Sequence, residues 1–317
     1  MSAAAPRARV ANAGGVPMSA LVAAAPQPRA VVVALHGGGI ISTYFDCPGH
    51  PRLSLLRMGA ALGFTMIALD RPGYGSSAAY PEAMTYPEQR VDLTYAAVDR
   101  ILGEQPRGAG LFVVAHSNGC ELALQMAADD RGDDLLGIEL AGTGQHYCEP
   151  VQEILKAASL DHRPGGLREL LWHPARLYPA EVLTGITNAS TGAPYEEAMV
   201  YDWPRQDFAA LAAKVRVPVQ FSHAEHEKVW QSDPSALAEI GAMFSSSPRF
   251  VTNEQLGAGH NLSLGHAAAA YHLKVFSFAE QCVLARENPA AGHRGEGRGI
   301  TGRTCRRQRP GLPLRRR

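Results

Sequence analysis

The stretch LFVVAHSNGCELALQMAADD, Leu111 to Asp130, decides how the rest of the chain is read. It opens with an unbroken apolar run of strand length, and a run without period-two alternation is what a strand buried on both faces looks like. Its second half, CELALQMAADD, reads as a helix. Between them stands Ala115-His116-Ser117-Asn118-Gly119, a serine with a small residue two places before it and two after. A sharp strand-to-helix turn pushes such a serine out of the top of a sheet, and the small flanks are needed because the neighbouring backbones nearly touch. A serine opening a helix also serves as a plain N-cap, but the strand before it and the helix after it favour the turn.

Similar apolar runs recur along the chain: AVVVALHGG, FTMIALDRPG, LLGIELAGTG, VPVQFSHAE and RFVTNEQLGAGH. Helical stretches separate them. YPEQRVDLTYAAVDRILGEQ has helical spacing after a Pro start, SDPSALAEIGAMFSS opens on a cap signal, and AAAAYHLKVFSFAEQCVLARE closes the series. ARVANAGGVPMSALVAA carries two short runs around a Gly-Gly turn and predicts an edge hairpin. The expected fold is therefore α/β, a mostly parallel sheet of about eight strands covered by helices on both faces. From residue 145 to 207 the alternation stops, and short helices broken by Pro and Gly are expected as a lid or cap insertion. The expected organisation is a flexible 1–9, a core over 10–144, the insertion 145–207, a second core part 208–288 and a disordered basic tail 289–317.

Composition narrows the function. The 317 residues are 46% apolar, enough for a proper core. Formal charge is zero, but the last 27 residues hold nine Arg and one Glu, leaving the remaining 290 residues at −8. That body offers no basic face to a phosphate backbone, so nucleic acid is not an expected partner. The tail is rich in Gly, Pro and Arg and is expected to be dispensable. Five cysteines form no CxxC pair and no even set, which fits a reducing compartment, and a cytoplasmic location is expected. Gly14, Gly15 and Pro17 interrupt any leader-like run, and no stretch approaches the roughly 18 apolar residues of a spanning helix. No membrane association and no cofactor are expected, and oligomeric state is left open.

In an open parallel sheet the ligand site lies beyond the carboxyl ends of the strands. The residues there are His36 to Gly39, His116 to Gly119, His223 to Glu227, and His260. The order His-Gly, Asp-x-x-Gly-x-Gly (Asp70 to Gly75), small-His-Ser-x-Gly and a late Gly-His resembles the α/β-hydrolase superfamily over roughly residues 10 to 285. Ala115 stands where Gly is commoner in that family. The resemblance implies Ser117 as nucleophile, His260 as its base, and backbone N–H groups of Gly38 and Asn118 as oxyanion donors, with Gly39 the nearest rival to Gly38. Three glycines in a row make sense there, since they let the backbone approach a substrate. The family's acid usually stands as Gly-x-x-Asp after the penultimate strand. Here Ala224-Glu225-His226-Glu227 puts Glu227 in that slot, with Ala for Gly and Glu for Asp, and leaves Glu225 and Asp233 as alternatives.

His223, Glu225, His226 and Glu227 match neither HExxH nor HxxEH, so no metal site is expected. His36, Tyr44, His116, Trp172 and Trp203 are candidates for substrate contact, although His116 is also expected to point away from Ser117. His146, His162 and His173 lie in the insertion and are further candidates. Cys47 lacks any sign of a partner base. Leu170, Leu171, Trp172, Leu177, Tyr178 and Trp203 would line a pocket or else form the insertion's own small core.

The expected activity is a serine hydrolase, a carboxylesterase or thioesterase, acting on a small or medium apolar acyl substrate through an acyl-enzyme. Two rivals remain: a C–C hydrolase or cyclising or lyase-like enzyme on the same fold, and a ligand-binding protein on a silent hydrolase scaffold. Turnover of short aryl esters counts against the first, and the intact Ser, His and oxyanion glycines argue against the second.

Overall fold

A computed structural model describes residues 5–157, 166–185 and 192–288. One sheet of eight strands runs through it: β1 (Arg7–Ala13), β2 (Val16–Ala23), β3 (Val31–Leu35), β4 (Thr65–Leu69), β5 (Leu111–His116), β6 (Leu135–Ala141), β7 (Val219–Ala224) and β8 (Phe250–Gln255). Their spatial order is β1-β2-β4-β3-β5-β6-β7-β8. The first two strands pair antiparallel with each other, β2 runs antiparallel to β4, and every later pairing is parallel.

The expected edge hairpin is β1–β2. Gly14 and Gly15 take φ of 60° and 95°, as a two-residue hairpin turn demands, and Asn12 Oδ1 accepts the Gly15 N–H at 2.7 Å. Because β1 starts at Arg7, residues 7–9 belong to the sheet, which corrects the expected flexible segment 1–9. The expected basic tail, 289–317, and His162 lie outside the described residues.

The central strands are buried on both faces, and this is why their sequences do not alternate. On β3, Val31, Val33 and Leu35 enter one core while Val32 and Ala34 enter the other. The first core is closed by helices α2 (Pro87–Leu102), α3 (Gly119–Ala128) and α9 (Pro234–Met243); the second by α1 (Leu55–Ala61) and α10 (Ala268–Glu287). Between β6 and β7 lie the short helices α4 (Glu149–Ala157), α5 (Leu167–Leu171), α6 (Ala180–Gly185), α7 (Glu196–Asp202) and α8 (Phe208–Ala212), with a π-helical turn at Trp203–Asp207. No described helix is long and apolar enough to cross a membrane.

Candidate active site

The turn after β5 brings the candidate residues together. Ser117 sits at φ 51°, a left-handed conformation that costs a residue with a side chain roughly 1–2 kcal/mol. Its N–H donates to the Ala141 carbonyl at 2.8 Å, which ties the turn to the end of β6. The flanking small residues have a measurable reason. A Cβ on Gly119 would stand 2.4 Å from the carbonyl oxygen of Leu35, and one on Gly37 would stand 3.1 Å from the Ser117 Cβ. The glycine loop after β3 and the serine turn after β5 therefore pass in contact.

Ser117 Oγ lies 3.3 Å from His260 Nε2, in the loop after β8. On the other side of the ring, Nδ1 lies 3.1 Å from both carboxylate oxygens of Glu227. Glu227 follows β7 through a turn in which its N–H donates to the Ala224 carbonyl, and its Oε1 accepts the N–H groups of Lys228 at 3.0 Å and Val229 at 2.8 Å. Burial works against ionisation of Glu227, but His260 and those two backbone donors outweigh it and hold the carboxyl below its ordinary range. The ionised carboxylate is thus built into the fold before any ligand arrives.

The two other acids expected for this position are occupied elsewhere. Glu225 Oε2 accepts the Gly257 N–H at 2.7 Å, and Asp233 caps α9 by accepting from Ser235 and Ala236. In the glycine loop, the Gly39 N–H donates to Tyr74 Oη at 3.1 Å. The N–H groups of Gly38 and Asn118 have no acceptor among the described residues. Gly38 also lies close enough to Asn118 that a Cβ on it would stand 2.7 Å from the Asn118 amide nitrogen.

His36 and Tyr44, expected to touch substrate, serve the scaffold instead, and His116 takes the inward-facing role also expected of it. His36 is fully buried; its Nδ1–H donates to the Gly37 carbonyl at 2.8 Å and its Nε2 accepts the Arg71 N–H at 3.1 Å, so it fastens the glycine loop to β4. Tyr44 stacks on His116 with ring centroids 4.6 Å apart and takes the Ser263 N–H on its hydroxyl. His116 donates from Nε2 to the His260 carbonyl at 2.9 Å and so braces the loop that carries the base. Burial, assisted by neighbouring positive charge, lowers both His36 and His116 well below the usual imidazole range and keeps them neutral. Burial pushes the Cys47 thiol up to about 11, which keeps it unreactive at neutral pH.

A narrow cavity beside Ser117 has room for about one water molecule. Asn118, Glu121, Thr143, Met199, Trp203 and Trp230 are among its walls. Of the apolar residues expected to line a pocket, Trp203 is among the walls of this cavity. Trp172 packs edge-on to Tyr178 with centroids 5.0 Å apart, while Leu170, Leu171 and Leu177 pack against the two cores. Sequence reasoning missed Glu121, although it stands four places after Ser117, one helical turn on. It also missed a buried pair at the glycine loop: Arg71 Nη2 donates to the Gly37 carbonyl at 3.0 Å and to Glu196 Oε1 at 2.5 Å.

A family model described as the alpha/beta hydrolase family matches residues 32–272. The chain belongs to that family. Three solved structures share its fold at low identity. A thermostable carboxyl esterase from Bacillus coagulans is 17% identical, with 88% of this chain and 99% of that chain covered and a TM-score of 0.65. A soluble variant of monoglyceride lipase from Saccharomyces cerevisiae is 15% identical, with 88% and 96% covered and a TM-score of 0.65. An epoxide hydrolase from Vigna radiata is 18% identical, with 87% and 98% covered and a TM-score of 0.61. No curated protein sequence matches significantly. An esterase and a lipase stand here beside an epoxide hydrolase, so the fold does not by itself name a reaction.

Proposed function

We propose that this protein is a serine hydrolase that cleaves a carboxylic ester or thioester of small to medium size through an acyl-enzyme. The observation that carries this reading is the unbroken line from Ser117 Oγ through His260 to the ionised Glu227. Ser117 has no useful nucleophilicity until a base takes its proton, and imidazole suits that task near neutral pH. His260 accepts the proton at Nε2 as Oγ attacks the carbonyl carbon, and Glu227 stabilises the imidazolium through Nδ1–H. The oxyanion that forms would lie against the N–H groups of Gly38 and Asn118, and donors of this kind are worth about 3–4 kcal/mol each. His260 then returns the proton to the leaving alcohol or thiol, and water attacks the acyl-enzyme along the same path.

Gly39 is the weaker donor candidate because its N–H is already engaged by Tyr74. A cavity with room for about one water holds no acyl group, so residues 145–207 would act as a lid that moves for substrate to enter. Short aryl esters and thioesters assayed with the wild-type protein and with Ser117→Ala test the proposal. Turnover lost in the variant supports it, and equal turnover in the two proteins removes Ser117 from the chemistry.

A further inference from the structure

Helix α7 and Trp203, the residue that caps it and opens the π-helical turn, present Glu196, Met199, Val200 and Trp203 at i, i+3, i+4 and i+7, which is one face of a helix. Met199, Val200 and Trp203 wall the cavity beside Ser117, and Glu196 continues the same face toward the glycine loop. Its carboxylate is held on both oxygens: Arg71 Nη2 donates to Oε1 at 2.5 Å and Tyr74 Oη donates to Oε2 at 2.5 Å. Oε2 also stands 3.4 Å from where a Cβ on Gly38 would be. A carboxylate therefore rests against the backbone that the proposed reaction needs.

Part of the receiving site is held by contacts outside α7. Arg71 is 0% exposed, its guanidinium lies 4.8 Å from the centre of the Tyr74 ring, and its Nη2 is fixed on the Gly37 carbonyl at 3.0 Å. Tyr74 Oη is fixed in turn by the Gly39 N–H. Nε and Nη1 of Arg71 have no partner among the described residues, so the guanidinium retains donors beyond those Glu196 uses. If α7 lifts to admit substrate, Glu196 leaves with it, and the guanidinium beside Gly38 is left without its counter-charge until a bound substrate buries it again. An unpaired buried charge is strongly disfavoured, and the matching remedy is another carboxylate.

We propose that Arg71 and Tyr74 form a carboxylate subsite which Glu196 fills in the closed protein and which a carboxylate of the substrate fills when α7 is displaced. The substrate is then the ester or thioester of a short dicarboxylic acid, with its free acid group on Arg71 and its acyl carbonyl at Ser117. Glu196 acts as a stand-in anion that keeps the subsite neutral between turnovers. This inference rests on the hydrolase reading for the ester but not for the subsite itself.

The test compares para-nitrophenyl monoesters of succinate, glutarate and adipate with uncharged isosteres in which the terminal carboxylate is replaced by an isopropyl group. Wild type is expected to favour the best acid ester by roughly tenfold or more in kcat/KM, as a charge-assisted hydrogen bond implies. Arg71→Met should erase the preference, and Glu196→Gln, which frees the cation, should raise it through a lower KM for the acid ester. Should Arg71→Met fail to fold, the change in preference in Glu196→Gln decides alone. Calorimetric titration of the inactive Ser117→Ala protein with glutarate, alone and combined with Arg71→Met, reads the subsite without catalysis. Glutarate binding that disappears with Arg71→Met supports the subsite even if no ester is turned over. Uncharged esters hydrolysed as well as acid esters, with Glu196→Gln leaving that ratio where it was and no glutarate binding, would overturn it and make the Arg71–Glu196 pair a permanent strut.

Discussion

Both carboxylate oxygens of Glu227 lie 3.1 Å from Nδ1 of His260, whereas the carboxylate of Glu225, two residues earlier, accepts the backbone N–H of Gly257. The two glutamates are therefore predicted to separate cleanly. Glu227→Gln should lower kcat by about ten-thousandfold, the cost seen when an amide replaces the acid of such a triad. Glu225→Gln should leave kcat within about twofold of wild type, as expected for a partly exposed loop residue. Steady-state kinetics on one ester suffices, and the reverse order would move the acid to Glu225.

The left-handed backbone of Ser117 predicts a conflict between stability and activity at one position. Ser117→Ala keeps the strained conformation, whereas Ser117→Gly relieves it, offset in part by the greater freedom of glycine in the unfolded chain. Ser117→Gly should be the more stable of the two inactive variants by about 0.5–1 kcal/mol in denaturant titrations. Equal stabilities would mean that the turn carries no strain.

Contact between the turn and the glycine loop predicts the effect of a single methyl group. In Gly119→Ala the new Cβ would meet the backbone of Leu35 and His36, which cannot rotate away as a side chain can. The variant should lose about 1–3 kcal/mol of stability, together with most of its activity, because Ser117 shifts with the turn. A variant of wild-type stability and activity would show that the two segments can separate freely.

A buried acid on β6 predicts a pH dependence of stability. Glu139 is fully buried, receives the Tyr271 hydroxyl at 3.0 Å, and is pushed by burial up to about 8. Unfolded glutamate titrates near ~4.3. Between those values the native state holds a proton that the unfolded state has released, so stability falls as pH rises, by about 1.4 kcal/mol per pH unit for this group. Glu139→Gln lacks that fall. Its stability relative to wild type should climb from about pH 4.5 to the folded value near 8, measured by urea titration at several pH values. Parallel stability curves for the two proteins would refute the assignment.

Much of this site was legible in the sequence because its parts are local. The serine turn is written in five consecutive residues, and Glu227 and His260 each follow a recognisable strand at the expected end of the sheet. The odd spelling of the acid, Glu in place of Asp after Ala224, put Glu227 in the slot but left Glu225 and Asp233 open, and only the distances to His260 Nδ1 single out Glu227. What the sequence could not separate was facing from burial. His36 and His116 stand at strand ends and Tyr44 in the short helical turn Ser42–Phe45 after the glycine loop, yet each is turned inward to brace a loop, as the sequence suggests only for His116. The Arg71–Glu196 pair spans 125 positions, and Glu196 lies in a segment whose helices are short and irregular. Periodicity gives no register for such a contact; only packing of α7 over the glycine loop creates it. The insertion's aromatic and aliphatic residues likewise read the same whether they line a pocket or pack on the cores, and most of them pack.

The most direct test of the central claim is intact-mass analysis of the purified protein after reaction with a fluorophosphonate, with Ser117→Ala as the control. The account predicts one covalent adduct on the wild type and none on the variant, because only a serine held 3.3 Å from a carboxylate-supported imidazole is activated enough to react. A folded wild-type protein that takes no adduct, or an adduct that persists in Ser117→Ala, would contradict it.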